Sequence, residues 1–170
     1  ALSTVPPSRW YGHDELDARA LYGAFTSGIE LFDHSYFRIS PAEADVMDPQ
    51  QRLGLEEGYA ALHASRFNRG SLMESVIGVF AGLWPSDYTA VLARRGAVGS
   101  AYGVSSTGAS MLVGRLSYTL GMQGPCISYE TACCSSLSAL QGALYSLKHG
   151  DSHAGLVLGV NIMCDSGNSV

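Results

Sequence analysis

The run CISYETACCSSLSALQGALYSLKHGDSHAGLVLGVNIM, residues 126–163, decides the fold. Residues 126–130 read as a strand, 135–149 as a helix stopped by Gly150, and 156–163 as a second, buried strand. Strand, helix and strand in that order make a βαβ unit, which points to a parallel sheet and the α/β class. Within the helix, Leu137, Leu140, Leu144 and Leu147 follow 3-4-3 spacing. That periodicity predicts one leucine face docked on the sheet.

Working outward, residues 76–82 (VIGVFAG) form a short apolar, β-branched run bounded by turn formers, the pattern of a strand buried on both faces. Ser86 can cap a helix running to Arg94 and Arg95, and Thr107 another reaching Leu120, with Gly121 as its stop. Ser40-Pro41 and Asp48-Pro49 each place a capping side chain before a proline at the first helical position, so two helices follow, the second and longer over 50–66. Gly58 falls inside that second helix, where it costs about 1 kcal/mol relative to Ala, so a packing reason for it is expected. The first forty residues, with Pro6, Pro7, Trp10, Tyr11, Phe25, Phe32 and Phe37, read as an irregular surface wrap. The sequence shows no internal repeat, low-complexity tract or linker.

Composition narrows the class. Of 170 residues, 46% are hydrophobic and 15% charged, against a usual charged share of roughly 25%, so the chain is rich in core and poor in charged surface. Twenty glycines suggest tight turns and close backbone approaches, not a simple helix bundle. A net charge of −5 argues against nucleic acid as a partner. The longest apolar run, 154–163, is interrupted by Gly and Asn and falls short of the ~18 residues of a membrane span. Cys126, Cys133, Cys134 and Cys164 lack the spacing of a disulfide framework or zinc site, so a reducing compartment, the cytoplasm by default, is expected. The start lacks an initiator Met and a signal segment and reads as mid-loop, so a piece of a longer protein is expected.

The chemistry-bearing stretch is Glu130-Thr131-Ala132-Cys133-Cys134-Ser135-Ser136, which joins strand directly to helix. A cysteine just ahead of a helix meets unpaired backbone N–H groups and the positive dipole end, which favour the thiolate. An ordinary thiol of pKa about 8.5 is roughly 3% ionised at pH 7, whereas one lowered to ~6.5 is about three-quarters ionised. The same amides could hold the oxyanion of a tetrahedral intermediate formed on that sulfur. Two readings stand at this point: a reactive nucleophile, with Cys133 at the sharpest point of the turn and Cys134 facing elsewhere, or ordinary buried cysteines. A vicinal disulfide between them would be strained.

Five runs in register carry a resemblance: Asp48-Pro49-Gln50-Gln51-Arg52-Leu53, Gly78-Val79-Phe80, Gly114-Arg115-Leu116-Ser117-Tyr118, Gly124-Pro125, and Thr131-Ala132-Cys133 with Ser135-Ser136-Leu137. Together they resemble the N-terminal half of a β-ketoacyl synthase domain from a type I polyketide synthase, spanning nearly the whole chain. Arg9-Trp10 and the segment from Phe32-Asp33 to Phe37 fit the same resemblance. It implies a thiolase-like layered fold, α-β-α-β-α in the complete domain, with residues 1–170 as a partial N-terminal region, and a homodimer.

By the same resemblance, Cys133 would accept an acyl chain from a phosphopantetheine thioester on an acyl carrier protein, with no cofactor bound directly, no nucleic acid and no membrane. Its backbone N–H would contribute to the oxyanion hole. A decarboxylating malonyl-type extender would then condense with the acyl group in the complete domain. The alternative is a non-elongating ketosynthase serving acyl transfer, docking and dimerisation within the rest of a polyketide synthase. The family's condensing histidines and lysine lie in its C-terminal half, so His13, His34, His63, His149 and His153 are expected to be structural or exposed, and the segment alone to lack condensing activity. By the resemblance, the family's first strand is also expected to be missing from the segment, which would leave an unpaired sheet edge. Three positions depart from the family pattern: Glu130 for Asp, where the extra methylene in a crowded turn would re-aim the elbow, Cys134 for Ser, and Leu158 for a common Gly.

Overall fold

The structure, a computed structural model, describes residues 2–5, 22–99 and 102–164. Arg9, Trp10, Tyr11 and His13 lie outside them. Three parallel strands form the central sheet in the order β4-β3-β5: β3 is Ile77–Leu83, β4 Cys126–Tyr129 and β5 Ala154–Val160. The expected βαβ unit is present, with β3 inserted between its two strands. As predicted, β3 is buried along its whole length.

Its alternation assigns the two faces of the sheet. Ile77, Val79, Ala81 and Leu83 point to the main core, shared with helices α2 (Pro49–Ala64) and α6 (Ala109–Leu120) through Leu55, Leu62, Leu112 and Leu116. Phe80 points the other way, to helix α7 (Ser135–His149). The reason for Gly58 is close packing of α2: a Cβ there would stand 3.0 Å from Leu116 Cδ2 and 3.3 Å from Leu156 Cδ2.

The helix starts follow the capping chemistry. Ser40 Oγ accepts from Glu43 N–H at the start of α1 (Pro41–Val46), and the Asp48 carboxylate accepts from Gln50 N–H at 2.7 Å at the start of α2. Helices α6 and α7 end on Gly121 and Gly150, both left-handed. Ser86 Oγ accepts from Tyr88 N–H at the start of α4 (Tyr88–Arg94). Thr107 does not cap α6, which begins after Gly108 without a side-chain cap; Thr107 instead closes α5 (Gly103–Ser106), a single turn too short to show a period. The short α3 (Arg69–Leu72), held by a reciprocal Asn68–Ser71 capping box, also went unread.

Three expectations are corrected. The leucine face of α7 does not dock on the sheet: Leu137, Leu140, Leu144 and Leu147 are 68%, 44%, 53% and 40% exposed, while Ser135, Ala139, Ala143 and Ser146 are buried. The sheet face beneath carries glycines on either side of Phe80, so the helix comes too close for leucine. The β5 strand is not buried on both faces, since Leu156 alone is fully covered. The N-terminal stretch is more than a wrap: β1 (Leu2–Thr4) and β2 (Tyr22–Ala24) pair antiparallel, and Phe37, stacked on Phe32 with ring centroids 5.5 Å apart, enters the main core.

Two of the quoted runs meet in space. Arg115 donates through Nε to Gln51 Oε1 at 2.7 Å and pairs with Glu43, while Gln51 Nε2 donates to the Ser105 carbonyl at 3.2 Å. Asp48 N–H donates to the Ser106 carbonyl. The Arg115 guanidinium thus joins α6 to α1 and α2, while Gln51 and the Asp48 amide join α2 to α5. Burial pushes the Asp48 carboxyl above its ordinary value of 3.8, opposed by hydrogen bonds from Ser86 and Gln50 and reinforced by the Asp87 charge.

The folded state therefore holds the Asp48 proton more tightly than the unfolded chain, and stability falls as pH rises from 3.8 through the raised value. Asp48→Asn keeps a capping oxygen without the buried charge. Its unfolding free energy relative to wild type, from urea titrations, should rise from near zero below pH 3.8 to a positive plateau at neutral pH. A difference independent of pH would contradict this.

Candidate active site around Cys133

Strand β4 ends at Tyr129, and the chain turns through a 3-10 segment, Ala132–Cys134, into α7. Ala132 has φ +53, a left-handed conformation costing an L residue about 1–2 kcal/mol. The turn is held mainly by its own polar groups. Ser135 Oγ accepts from Thr131 N–H and donates to the Ala132 carbonyl, both at 2.8 Å, and Thr131 Oγ1 lies 3.0 Å from Ser138 Oγ.

The two cysteines part company here. Cys133 is exposed and lines an open cleft of about 610 Å³ at the C-terminal ends of β3 and β5, with Leu83, Trp84, Val160 and Asn161 around it. Cys134 is absent from that lining and donates its thiol to the Thr131 carbonyl at 2.8 Å. The buried-cysteine reading fails for both, and both are free thiols, so no vicinal bridge forms. No side chain caps the N-terminus of α7, so the first-turn amides at the cleft are left to backbone partners or a ligand.

The remaining residues singled out fall away from this point. Glu130 is exposed, so the expected crowding is not there. His34 Nδ1 lies 3.0 Å from the Ile39 carbonyl, His63 and His149 sit in last helical turns beside Tyr59 and Tyr145, and His153 is exposed. Cys126 lies on β4, and Cys164 N–H donates to both Asp87 carboxylate oxygens at 3.0 Å. Among the described residues no group of three His, Cys, Asp or Glu could hold a metal ion, and no helix is long and apolar enough to cross a membrane. A second cavity, about 680 Å³, lies between β4 and α7 with Ile127, Tyr129, Leu137 and Tyr145 in its wall and contains neither cysteine of the turn.

Sequence reasoning missed Trp84, Asn161 and Gly82. The signal for Gly82 was available: a glycine near the end of a buried strand often marks close backbone approach. A Cβ at Gly82 would fall under 3.0 Å from the Ser135–Ser136 peptide. Trp84 and Asn161 follow strand ends and carry no local pattern.

The family model described as "Beta-ketoacyl synthase, N-terminal domain" matches residues 1–170. Among similar proteins, a phenolphthiocerol/phthiocerol polyketide synthase subunit of Mycobacterium tuberculosis is 39% identical over 171 residues, 96% of this chain and 9% of the relative. Spectinabilin polyketide synthase system protein NorA' of Streptomyces orinoci is 42% identical over 166 residues, 96% of this chain and 4% of the relative. Of solved structures, the ketosynthase from module 6 of the bacillaene synthase of Bacillus subtilis 168 aligns with TM-score 0.76 and 31% identity over 98% of this chain and 27% of that one. The oxazolomycin ketosynthase domain OzmH KS7 of Streptomyces albus JA3453 gives 0.83 and 30%, over 99% and 30%. The chain therefore spans less than a tenth of these two relatives and under a third of these structures.

The strained turn makes its own test. Ala132→Val puts a β-branched residue at φ +53 and should cost at least 1–2 kcal/mol in urea unfolding, whereas Ala132→Gly should be neutral or stabilising. Equal effects would mean that the turn does not hold this conformation.

Proposed function

Because the chain belongs to the β-ketoacyl synthase family, as its N-terminal domain, we propose that Cys133 is the acyl acceptor of a polyketide-type ketosynthase. The fold is the α/β thiolase-like fold of polyketide ketosynthases. The observation that carries the proposal is the placement of one exposed sulfur on a positive-φ elbow at the head of α7, opening into the cleft. The first-turn amides at that point can hold the oxyanion that forms after attack.

The Cys133 thiolate attacks the carbonyl carbon of an acyl thioester carried on the phosphopantetheine arm of an acyl carrier protein. The tetrahedral intermediate collapses, the pantetheine sulfur leaves and takes a proton, and the acyl group remains on Cys133. In the complete domain, decarboxylation of a malonyl-type extender releases carbon dioxide and a carbanion equivalent that attacks this thioester. The product is a β-ketoacyl thioester two carbons longer, and the Cys133 thiolate is regenerated. Splitting one hard carbon–carbon bond formation into thioester exchange and condensation is covalent catalysis.

Residues 1–170 are read as the N-terminal region of such a domain, within a homodimeric synthase. The exposed leucines of α7 and the exposed Ile127 on β4 support further protein covering these faces. The same exposure fits the second reading equally well: a non-elongating ketosynthase that docks, dimerises and passes acyl chains on.

Incubation of the full-length parent with an acyl-pantetheine thioester, followed by peptide mass spectrometry, tests the nucleophile. Cys133→Ala should abolish the acyl adduct and Cys134→Ser should keep it. Equal loss in both would mean that the wrong sulfur was chosen. A wild-type protein without an adduct on Cys133 would leave only docking and dimerisation.

A further inference from the structure

Ser135 is one of the few polar residues buried in the described chain, 6% exposed, where the strand exit becomes α7. Its hydroxyl spans the turn that carries Cys133, taking the Thr131 N–H and giving its own proton to the Ala132 carbonyl. Both partners precede the cysteine and Ser135 follows it, so the two bonds close a ring of backbone around Cys133. Ala132 is held inside that ring at φ +53, a conformation that is costly for an L residue.

The Ser135 backbone is fixed from below as well. A Cβ on Gly82 would come under 3.0 Å from the Ser135 carbonyl carbon and oxygen and from the Ser136 nitrogen. Strand register pairs Gly82 with Gly159, where a Cβ would stand 3.0 Å from Ser136 Cβ. The Ser135–Ser136 peptide thus rests on the sheet backbone at its closest approach.

Resting on the reading of Cys133 as acyl acceptor, we infer that Ser135 is a positioning residue for that sulfur. Its hydroxyl closes the elbow while its peptide sits on Gly82 and the next side chain, Ser136, on Gly159, and together these fix where Sγ stands relative to the first-turn amides of α7. Position matters at this scale, because a displacement of ~1 Å in a reacting group can cost about 100-fold in rate.

The test uses the full-length parent with Ser135→Ala, Ser135→Thr, Gly159→Ala, Gly159→Ala with Ser136→Gly, and Gly155→Ala. Two rates are read: acylation of Cys133 by an acyl-pantetheine thioester, resolved into kcat and KM, and its alkylation by iodoacetamide across pH. Ser135→Ala should lower kcat for acylation by about 100-fold with KM nearly unchanged, and displace the alkylation pH profile. Ser135→Thr keeps a hydroxyl and should recover most of the rate.

Gly159→Ala disturbs the seat without touching the hydroxyl and should also lower kcat. Adding Ser136→Gly removes the Cβ it meets and should restore the rate, which keeps the test open should Ser135→Ala fail to fold. Gly155→Ala adds a methyl to the same strand, facing Ala143 Cβ at an ordinary 3.4 Å, and should match wild type. Wild-type rates and pH profile in Ser135→Ala, or a loss shared equally by Ser135→Thr and Gly155→Ala, would overturn the inference. If wild type takes no acyl group while alkylation still depends on Ser135, the acyl-acceptor reading falls and the positioning role stands.

Discussion

Helix α7 rests on the backbone of β3 itself, and the rest of the architecture follows from that closeness. Glycines at 82 and 159 leave no side chain between the first turn of the helix and the sheet, and Phe80 fills the next level against Ala139 and Ala143. A helix seated by small residues approaches nearer than one seated by leucines, and it loses freedom to slide, because packed interiors give way only by whole side-chain shifts. The end of the helix that bears the site is thereby held by the central strand of the sheet, which is buried along its whole length.

That strand serves two masters through a period of two. Its odd-numbered residues are apolar and fill the core against α2 and α6, while of its even-numbered ones Phe80 and Gly82 meet the underside of α7 and Gly78 leaves room for the Phe80 ring. A uniform aliphatic strand would bury as much surface and could not seat the helix. The buried face supplies the hydrophobic stabilisation, about 25 cal/mol per Å² of apolar area removed from water. The glycine face gives up some of it in exchange for position.

Most of this organisation was legible in the sequence. Proline at the first helical position after Ser40 and Asp48, glycine stops at 121 and 150, and the buried run at 77–83 are local signals with local causes, and each lands within two or three residues of the structure. The elements left unread, α3, α5, β1 and β2, are three or four residues long, below the length at which a period exists. The error in α7 has a different origin. Leu137, Leu140, Leu144 and Leu147 and, beside them, Ser135, Ala139, Ala143 and Ser146 are both helical stripes, and hydrophobicity alone picks the larger residues. What decides between them is the sheet beneath, and glycines at 78, 82, 155 and 159 were the evidence for it on the other side of the contact. The turn carrying Cys133 was legible because it depends on chain order, strand then turn then helix, and not on which face is buried.

The Asp48–Leu53 run, one of the five that carry the resemblance, is absent from the lining of the Cys133 cleft. Its side chains cap α2 and, through Gln51 and Arg115, lock α2 to α1, α5 and α6. Of these, α2 and α6 fill the core on the odd-numbered face of β3, opposite α7. Removing either member of the part-buried Arg115–Glu43 pair would leave the other without its charge partner, so the Glu43–Arg115–Gln51 contact fixes how these helices meet. The run therefore bears on chemistry indirectly: it fixes the back of the strand whose front, at Gly82, sets the height of the turn that holds Cys133.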